Sequence, residues 1–194
     1  RPTISCQNIS VYLNASGSAF INSAMIITAA GDNCGPAAIT VSPNNFSCAN
    51  VGPNNVTVTL FDASGNSASC NSIVTVIDTV RPVAACQNIS VHLNAAGSAT
   101  ITGAMINNGS TDACGIASLS VSPSTFSCAN VGANNVTLTV TDVNGRTSTC
   151  NSIVTVLDTV RPVANCQNAA ITLVDGTATI TSLNVDNGSS DACG

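Results

Sequence analysis

The chain has 194 residues, ten cysteines and a net charge of −5, with no Lys and no Glu; its acids are nine Asp and its bases four Arg. So little positive charge, gathered into no patch, argues against nucleic acid and against anionic membrane surfaces as partners. A single His (His92), no Cys-x-x-Cys pair and no Ser-His-Asp or Cys-His set that recurs along the chain argue against zinc, iron–sulfur and enzymatic chemistry.

In chain order, Ile9-Ser10-Val11-Tyr12-Leu13 alternates apolar and polar residues, as a half-buried strand does. Ser18-Ala19-Phe20-Ile21 follows a turn at Gly17, and Ser23-Ala24-Met25-Ile26 fits one helical turn. Ala38-Ile39-Thr40-Val41 is a strand ended by Ser42-Pro43-Asn44-Asn45, and Phe46-Ser47-Cys48 is a short one. Val56-Thr57-Val58-Thr59-Leu60 and Ile73-Val74-Thr75-Val76-Ile77 are the clearest strands. Asp62-Ala63-Ser64-Gly65-Asn66 joins them as a hairpin turn, Asp accepting local amide bonds and Gly supplying positive φ. Six to seven short strands at this spacing predict an antiparallel β-sandwich with apolar layers around Val11, Ile39, Val58 and Val74. Every apolar run is strand-sized, so no membrane-spanning helix or signal peptide is expected in this segment.

The pattern then recurs. Residues 1–80 and 81–160 agree at 49 positions without a gap, and residues 161–194 begin a third copy that stops early. Cys6, Cys34, Cys48 and Cys70 return as Cys86, Cys114, Cys128 and Cys150, and Cys166 and Cys193 reopen the series. The expected organisation is repeat 1 over 1–80, repeat 2 over 81–160 and an incomplete repeat over 161–194, holding its first strands only. Such small modules bury little apolar surface, so disulfides are expected to staple them, which implies an oxidising compartment. Asp78-Thr79-Val80-Arg81-Pro82 and Asp158-Thr159-Val160-Arg161-Pro162 join the copies. Without a Gly/Ser tract, and with Pro holding the backbone extended, they predict stiff joints and repeats arranged end to end.

"CQNISVYLN", the "DNCG" and "DACG" loops, "FSCANVG" and the hairpin "FDASGNSASCNSIVTVID" resemble the hyalin-repeat (HYR) type of immunoglobulin-like domain. The nearest flavour is that of long repetitive surface proteins of Bacteroidota, including gliding-type adhesins. The resemblance implies an all-β fold of tandem, disulfide-stapled immunoglobulin-like sandwiches in an extracellular or cell-surface setting. It also implies the pairs Cys6–Cys70 and Cys86–Cys150, and with them a nested set in which Cys34 joins Cys48 and Cys114 joins Cys128. Four cysteines per repeat allow three connectivities. The sequential set, Cys6–Cys34 with Cys48–Cys70, stays open and would close Cys166–Cys193 within the chain.

Asp recurs at fixed places. In the expected topology Asp78, Asp112 and Asp142 converge at one joint, where carboxylate and carbonyl oxygens suit calcium; the alternative is that each Asp serves its own turn. Asp78-Thr79-Val80 and Asp158-Thr159-Val160 resemble the O-glycosylation signal of Bacteroidota, which makes Thr79 and Thr159 candidate glycan carriers. His92 stands where repeat 1 has Tyr12 and the third copy has Thr172, and reads as a surface residue. The absence of Trp counts against a sugar-binding platform.

The sequence therefore predicts a structural repeat of a secreted or surface-anchored bacterial protein, an extended stalk or extracellular filament and not an enzyme. Its expected partners are further copies of the repeat and neighbouring chains of the same filament; the third copy reads either as a fragment of a longer array or as a half-module completed by a neighbouring chain. An adhesive module that binds a glycan or protein ligand through its loops is the alternative, and an accessory domain of a secreted enzyme a weaker third.

Overall fold

A computed structural model describes residues 1–33 and 35–194; Cys34 lies outside the described residues. Repeat 1 forms β1 (Thr3–Cys6), β2 (Ile9–Tyr12), β3 (Ser18–Phe20), the single turn α1 (Ser23–Ile26), β4 (Ile27–Gly31), β5 (Pro36–Ser42), β6 (Asn45–Ser47), β7 (Gly52–Asp62) and β8 (Ser67–Ile77). Repeat 2 forms β9 (Ile89–His92), β10 (Ser98–Thr100), α2 (Gly103–Ile106), β11 (Ile116–Ser122), β12 (Thr125–Ser127), β13 (Gly132–Asp142) and β14 (Thr147–Leu157). The third copy contributes one helical turn, α3 (Ser182–Val185), and isolated bridges at Val163–Ser190 and Cys166–Asp186.

The long hairpin carries each repeat. Along β7, Val56, Val58 and Leu60 point inward while the threonines between them point out, and along β8 Ser72, Val74 and Val76 do the same. The four-stranded sheet runs β2-β8-β7-β5, with β1-β4 and β3-β6 as two-stranded partners. The first sheet strand, β2, lies parallel to the last, β8, with Ile9 opposite Val74 and Tyr12 opposite Ile77. Two side-chain bonds dock it there: Ser72 Oγ donates to the Gln7 carbonyl at 2.7 Å, and the Ile73 amide donates to Asn8 Oδ1 at 2.8 Å. Both recur in repeat 2, from Ser152 to Gln87 and from Ile153 to Asn88. There the sheet runs β11-β13-β14-β9, with β9 parallel to β14.

Val11, Leu13, Ile21, Ile26, Phe46 and the valines of the hairpin form one core between the sheets. Ile39, expected in that core, is 41% exposed. It sits opposite the fully buried Leu60 but on β5, the sheet edge, where no further strand covers it. Thr3–Cys6, which has no clean alternation, is nevertheless a strand because it pairs with β4.

Two compact units make up the chain, and they are not drawn along the repeats. One is Arg1–Val83 with Ser110–Ser118 and Val140–Ser148; the other is Ala84–Gly109, Leu119–Thr139 and Thr149–Gly194. Repeat 1 thus shares a unit with two loops of repeat 2. None of the helices among the described residues is long and apolar enough to cross a membrane.

Leu60→Ala, which empties a fully buried site, should cost about 3 kcal/mol in denaturant unfolding with disulfides intact. Ile39→Ala, its cross-strand neighbour on the open edge, should cost less than about 1 kcal/mol.

Candidate functional site

Among the described residues eight cysteines are paired: Cys6–Cys70, Cys86–Cys150, Cys48–Cys114 and Cys128–Cys193. The first two staple the opening segment of each repeat, β1 in repeat 1 and the isolated bridge at Cys86 in repeat 2, to its closing hairpin. The other two overturn the nested expectation that Cys34 joins Cys48 and Cys114 joins Cys128, because each links one repeat to the next. Among the described residues Cys166 is free and exposed.

Local structure explains the partner of Cys48. It opens a 3-10 turn, Cys48–Asn50, whose entry is fixed by Asn50 Oδ1 accepting the Ser47 amide at 2.9 Å. That turn presents the sulfur to Gly17, in the β2–β3 turn, where Asn14 Oδ1 accepts the amides of Ser16 and Ser18. Gly17 has φ +72°, and a Cβ there would lie 2.7 Å from Cys48 Sγ and 3.3 Å from Ala113 Cβ. Glycine thus opens the space into which the Asp112-Ala113-Cys114 loop of repeat 2 enters, and Cys48 and Cys114 come to a Cα separation of 5.1 Å, within the disulfide range. Repeat 2 repeats the device: a Cβ on Gly97 would lie 2.6 Å from Cys128 Sγ, beside Ala192, and the Cys128–Cys193 Cα separation is 5.2 Å. The recurring Gly17 and Gly97 were visible in the sequence, but their role emerges only once the neighbouring loop is in place.

Around the Cys48–Cys114 bridge the loops of repeat 2 are held by polar contacts with the joint. The Asn144 side-chain amide donates to Asp78 Oδ2 at 2.7 Å, Arg81 donates to the Thr147 carbonyl at 2.7 Å, and the Val143 amide donates to the Gly115 carbonyl at 3.1 Å. Asp78 is buried, and its Oδ1 accepts the Val80 amide at 3.0 Å. Arg81 therefore serves a carbonyl and not the nearby carboxylate.

Of the three expected calcium ligands, Asp78 and Asp112 come together: their oxygens and Cys114 Sγ lie within 4.8 Å of one another. Asp142 is outside that cluster, its Oδ1 accepting the Asn144 and Arg146 amides of its own hairpin at 2.8 Å. The disulfide sulfur offers nothing to a hard cation, so the arrangement provides two carboxylates, of which Asp112 Oδ2 is buried without a partner. Calcium takes six to eight oxygens, so water would have to supply most of its shell. Asp158 and Asp191 form the equivalent pair beside Cys193.

Asp62 and Asp142 occupy the same hairpin position with different outcomes. The Asn66 side chain donates to Asp62 Oδ2 at 2.7 Å, and that bond holds the carboxyl below the usual carboxylate range. Repeat 2 has Arg146 in place of Asn66, and Asp142 Oδ2 is buried with no hydrogen-bond partner. Thr79 and Thr159 are exposed, and the Thr159 hydroxyl lies 3.2 Å from His92 Nδ1.

These features define a disulfide-stapled, all-β domain of the immunoglobulin-like class, recognised by its first sheet strand running parallel to its last. The family model of the HYR domain, a non-enzymatic domain type, matches residues 1–76, the span of the first repeat. No curated protein matches the chain in sequence. Among solved structures, the first two cadherin domains of human mucin-like protocadherin align at 14% identity and TM-score 0.43, over 81% of this chain and 98% of that one. Extracellular cadherin domains 1–4 of protocadherin gamma B7 align at 12% identity and TM-score 0.37 over 88% of this chain, which spans 55% of that fragment. The fibronectin(III)-like modules of Clostridium thermocellum CbhA align at 13% identity and TM-score 0.29, over 81% of this chain and 95% of that one.

Gly17→Ala should eliminate the Cys48–Cys114 bridge while sparing Cys6–Cys70, as read by peptide mapping without reduction. Arg146→Asn restores an amide to the orphaned Asp142 oxygen and should stabilise the protein by about 1 kcal/mol in denaturant unfolding.

Proposed function

We propose that the chain is a load-bearing segment of an extracellular stalk or filament, built from HYR-type repeats placed end to end and covalently joined one to the next. The observation that carries this reading is the pair of bonds Cys48–Cys114 and Cys128–Cys193. A protein made only to display separate modules needs no covalent tie beyond the peptide joint. Here the loops closed by the disulfides overlap: 6–70, 48–114, 86–150 and 128–193. A break in the peptide joint at 78–82 leaves repeats 1 and 2 attached through Cys48–Cys114. The staple Cys6–Cys70 also removes 64 residues from the length a repeat can pay out under tension. Four disulfides of this kind belong in an oxidising compartment.

Two accessory features fit such a joint. A calcium ion on Asp78 and Asp112 would neutralise the buried Asp78 and the partnerless Asp112 oxygen and stiffen the connection. O-linked glycans on the exposed Thr79 and Thr159 would shield it from proteases.

A second reading, adhesion, has its own observation. Tyr12, Phe20 and Met25 line an exposed groove on repeat 1. Repeat 2 places His92 and Thr100 at the first two of these positions, so any ligand surface there is confined to one repeat.

Negative-stain images of the native material should show straight rods under oxidising conditions; compact or coiled particles would overturn the stalk, and saturable binding to a glycan or protein array would favour adhesion. A protease site placed at the joint should leave one species on a non-reducing gel and two after reduction. In single-molecule pulling, reduction should lengthen each repeat's extension by roughly 220 Å, the span of a fully stretched 64-residue loop.

A further inference from the structure

Repeat 2 holds two Asn-Gly steps, Asn108-Gly109 and Asn144-Gly145, where repeat 1 has Thr28-Ala29 and Ser64-Gly65. An asparagine followed by glycine can react with its own main chain. The glycine nitrogen attacks the side-chain amide carbon, and the absence of a Cβ leaves the five-membered ring room to close. The reaction needs two freedoms: the side chain must swing onto the next nitrogen, and that nitrogen must lose its proton.

The fold withholds both at Asn144. Its side-chain amide donates to the buried Asp78 at 2.7 Å, and its main-chain amide donates to Asp142 Oδ1 at 2.8 Å. The Gly145 amide, which would be the nucleophile, donates to the Asp142 carbonyl at 3.2 Å. Asn108 is the opposite case. Asn108 and Gly109 are both exposed. The Asn108 main-chain amide donates to the Ala85 carbonyl at 2.9 Å, which anchors the backbone just ahead of the step. Among the described residues, neither the Asn108 side chain nor the Gly109 amide has a hydrogen-bond partner. At Asn187-Gly188 in the third copy the glycine amide points at the Asp186 carboxylate, whose charge opposes loss of the proton.

We propose that Asn108-Gly109 is a site of spontaneous succinimide formation and deamidation, with water as the only co-reactant. The deprotonated Gly109 nitrogen bonds to Asn108 Cγ, the Cγ–Nδ2 bond breaks, and the amide nitrogen leaves as ammonia. Water then opens the ring at either carbonyl, giving aspartate or isoaspartate at position 108; nothing is oxidised or reduced. Repeat 2 gains one negative charge, and the isoaspartate form carries one extra methylene in its main chain. The change accumulates with the age of the molecule and needs no enzyme. It goes beyond the stalk reading and does not depend on it. The bonds that tie Asn144 to the joint also spare it, since breaking even one of them before attack slows the reaction by about tenfold.

The test incubates the intact, oxidised chain at mildly alkaline pH in water enriched in heavy oxygen and follows each asparagine by peptide mass mapping. Asn108 should convert to aspartate and isoaspartate at least about tenfold faster than Asn144, and ahead of Asn187, each product carrying one solvent oxygen. In urea with the disulfides reduced, Asn144 should catch up with Asn108. Asn108→Gln, a change to an exposed side chain, should keep the fold and abolish conversion at that position. Four results would each overturn the proposal: folded-state conversion of Asn144 or Asn187 as fast as that of Asn108, an Asn108 that stays intact while the denatured chain converts, product without solvent oxygen, or a preference that survives denaturation. Failure of the stalk reading would appear instead in the images and the joint-cleavage gel, with this chemistry untouched.

Discussion

The parallel docking of the first sheet strand against the last is the contact on which each repeat depends. An 80-residue module closes its sheet only when residues at its two ends meet, and the loop-closure entropy of that meeting is a substantial cost. Here the cost is offset three times at one place: by Cys6–Cys70, by the Ser72 hydroxyl on the Gln7 carbonyl, and by the Ile73 amide on Asn8. A disulfide closing a loop of this length contributes about 2–5 kcal/mol, a large part of what a small domain has in total. With those ends joined, Val74 and Val76 are held over Val11 and the core follows.

The bridge between repeats is a consequence of what that closure exposes. Fixing β2 and the hairpin sets the Gly17 turn beside Cys48, with room for the Ala113–Cys114 loop and no room for a side chain on residue 17. The chemistry of the joint is therefore steric and covalent before it is ionic. Its carboxylates Asp78 and Asp112 accept local amides, and the Arg81 guanidinium goes to a carbonyl. Such a joint keeps its hold at high salt, unlike one built from surface ion pairs, because screening does not reach a disulfide or a packed glycine.

Much of the fold was legible because its main signals are local. Alternation in 56–60 and 73–77, the Asp62–Asn66 turn and the helical turn at 23–26 each depend on a few neighbouring residues, and the structure has them. Ile39 was misplaced because apolarity says nothing about whether a strand is central or at an edge. Thr3–Cys6 was missed because its strand exists only through β4, and irregular pairing leaves no period to read. At the joint, Asp78 and Asp112 meet while Asp142 turns to its own hairpin, a choice made by side-chain orientation.

Residue order by itself determined the repeat, the β class, the hairpin that closes each copy and the need for staples in a small module. These follow from periodicity, turn chemistry and surface-to-volume limits, all of which act along the chain or on its composition. Tertiary structure decided which sulfur meets which: Cys48 finds Cys114 across the repeat border, a separation of 66 residues. That choice depends on which loops face each other in three dimensions and on the space a missing Cβ leaves at Gly17, and spacing along a chain carries neither.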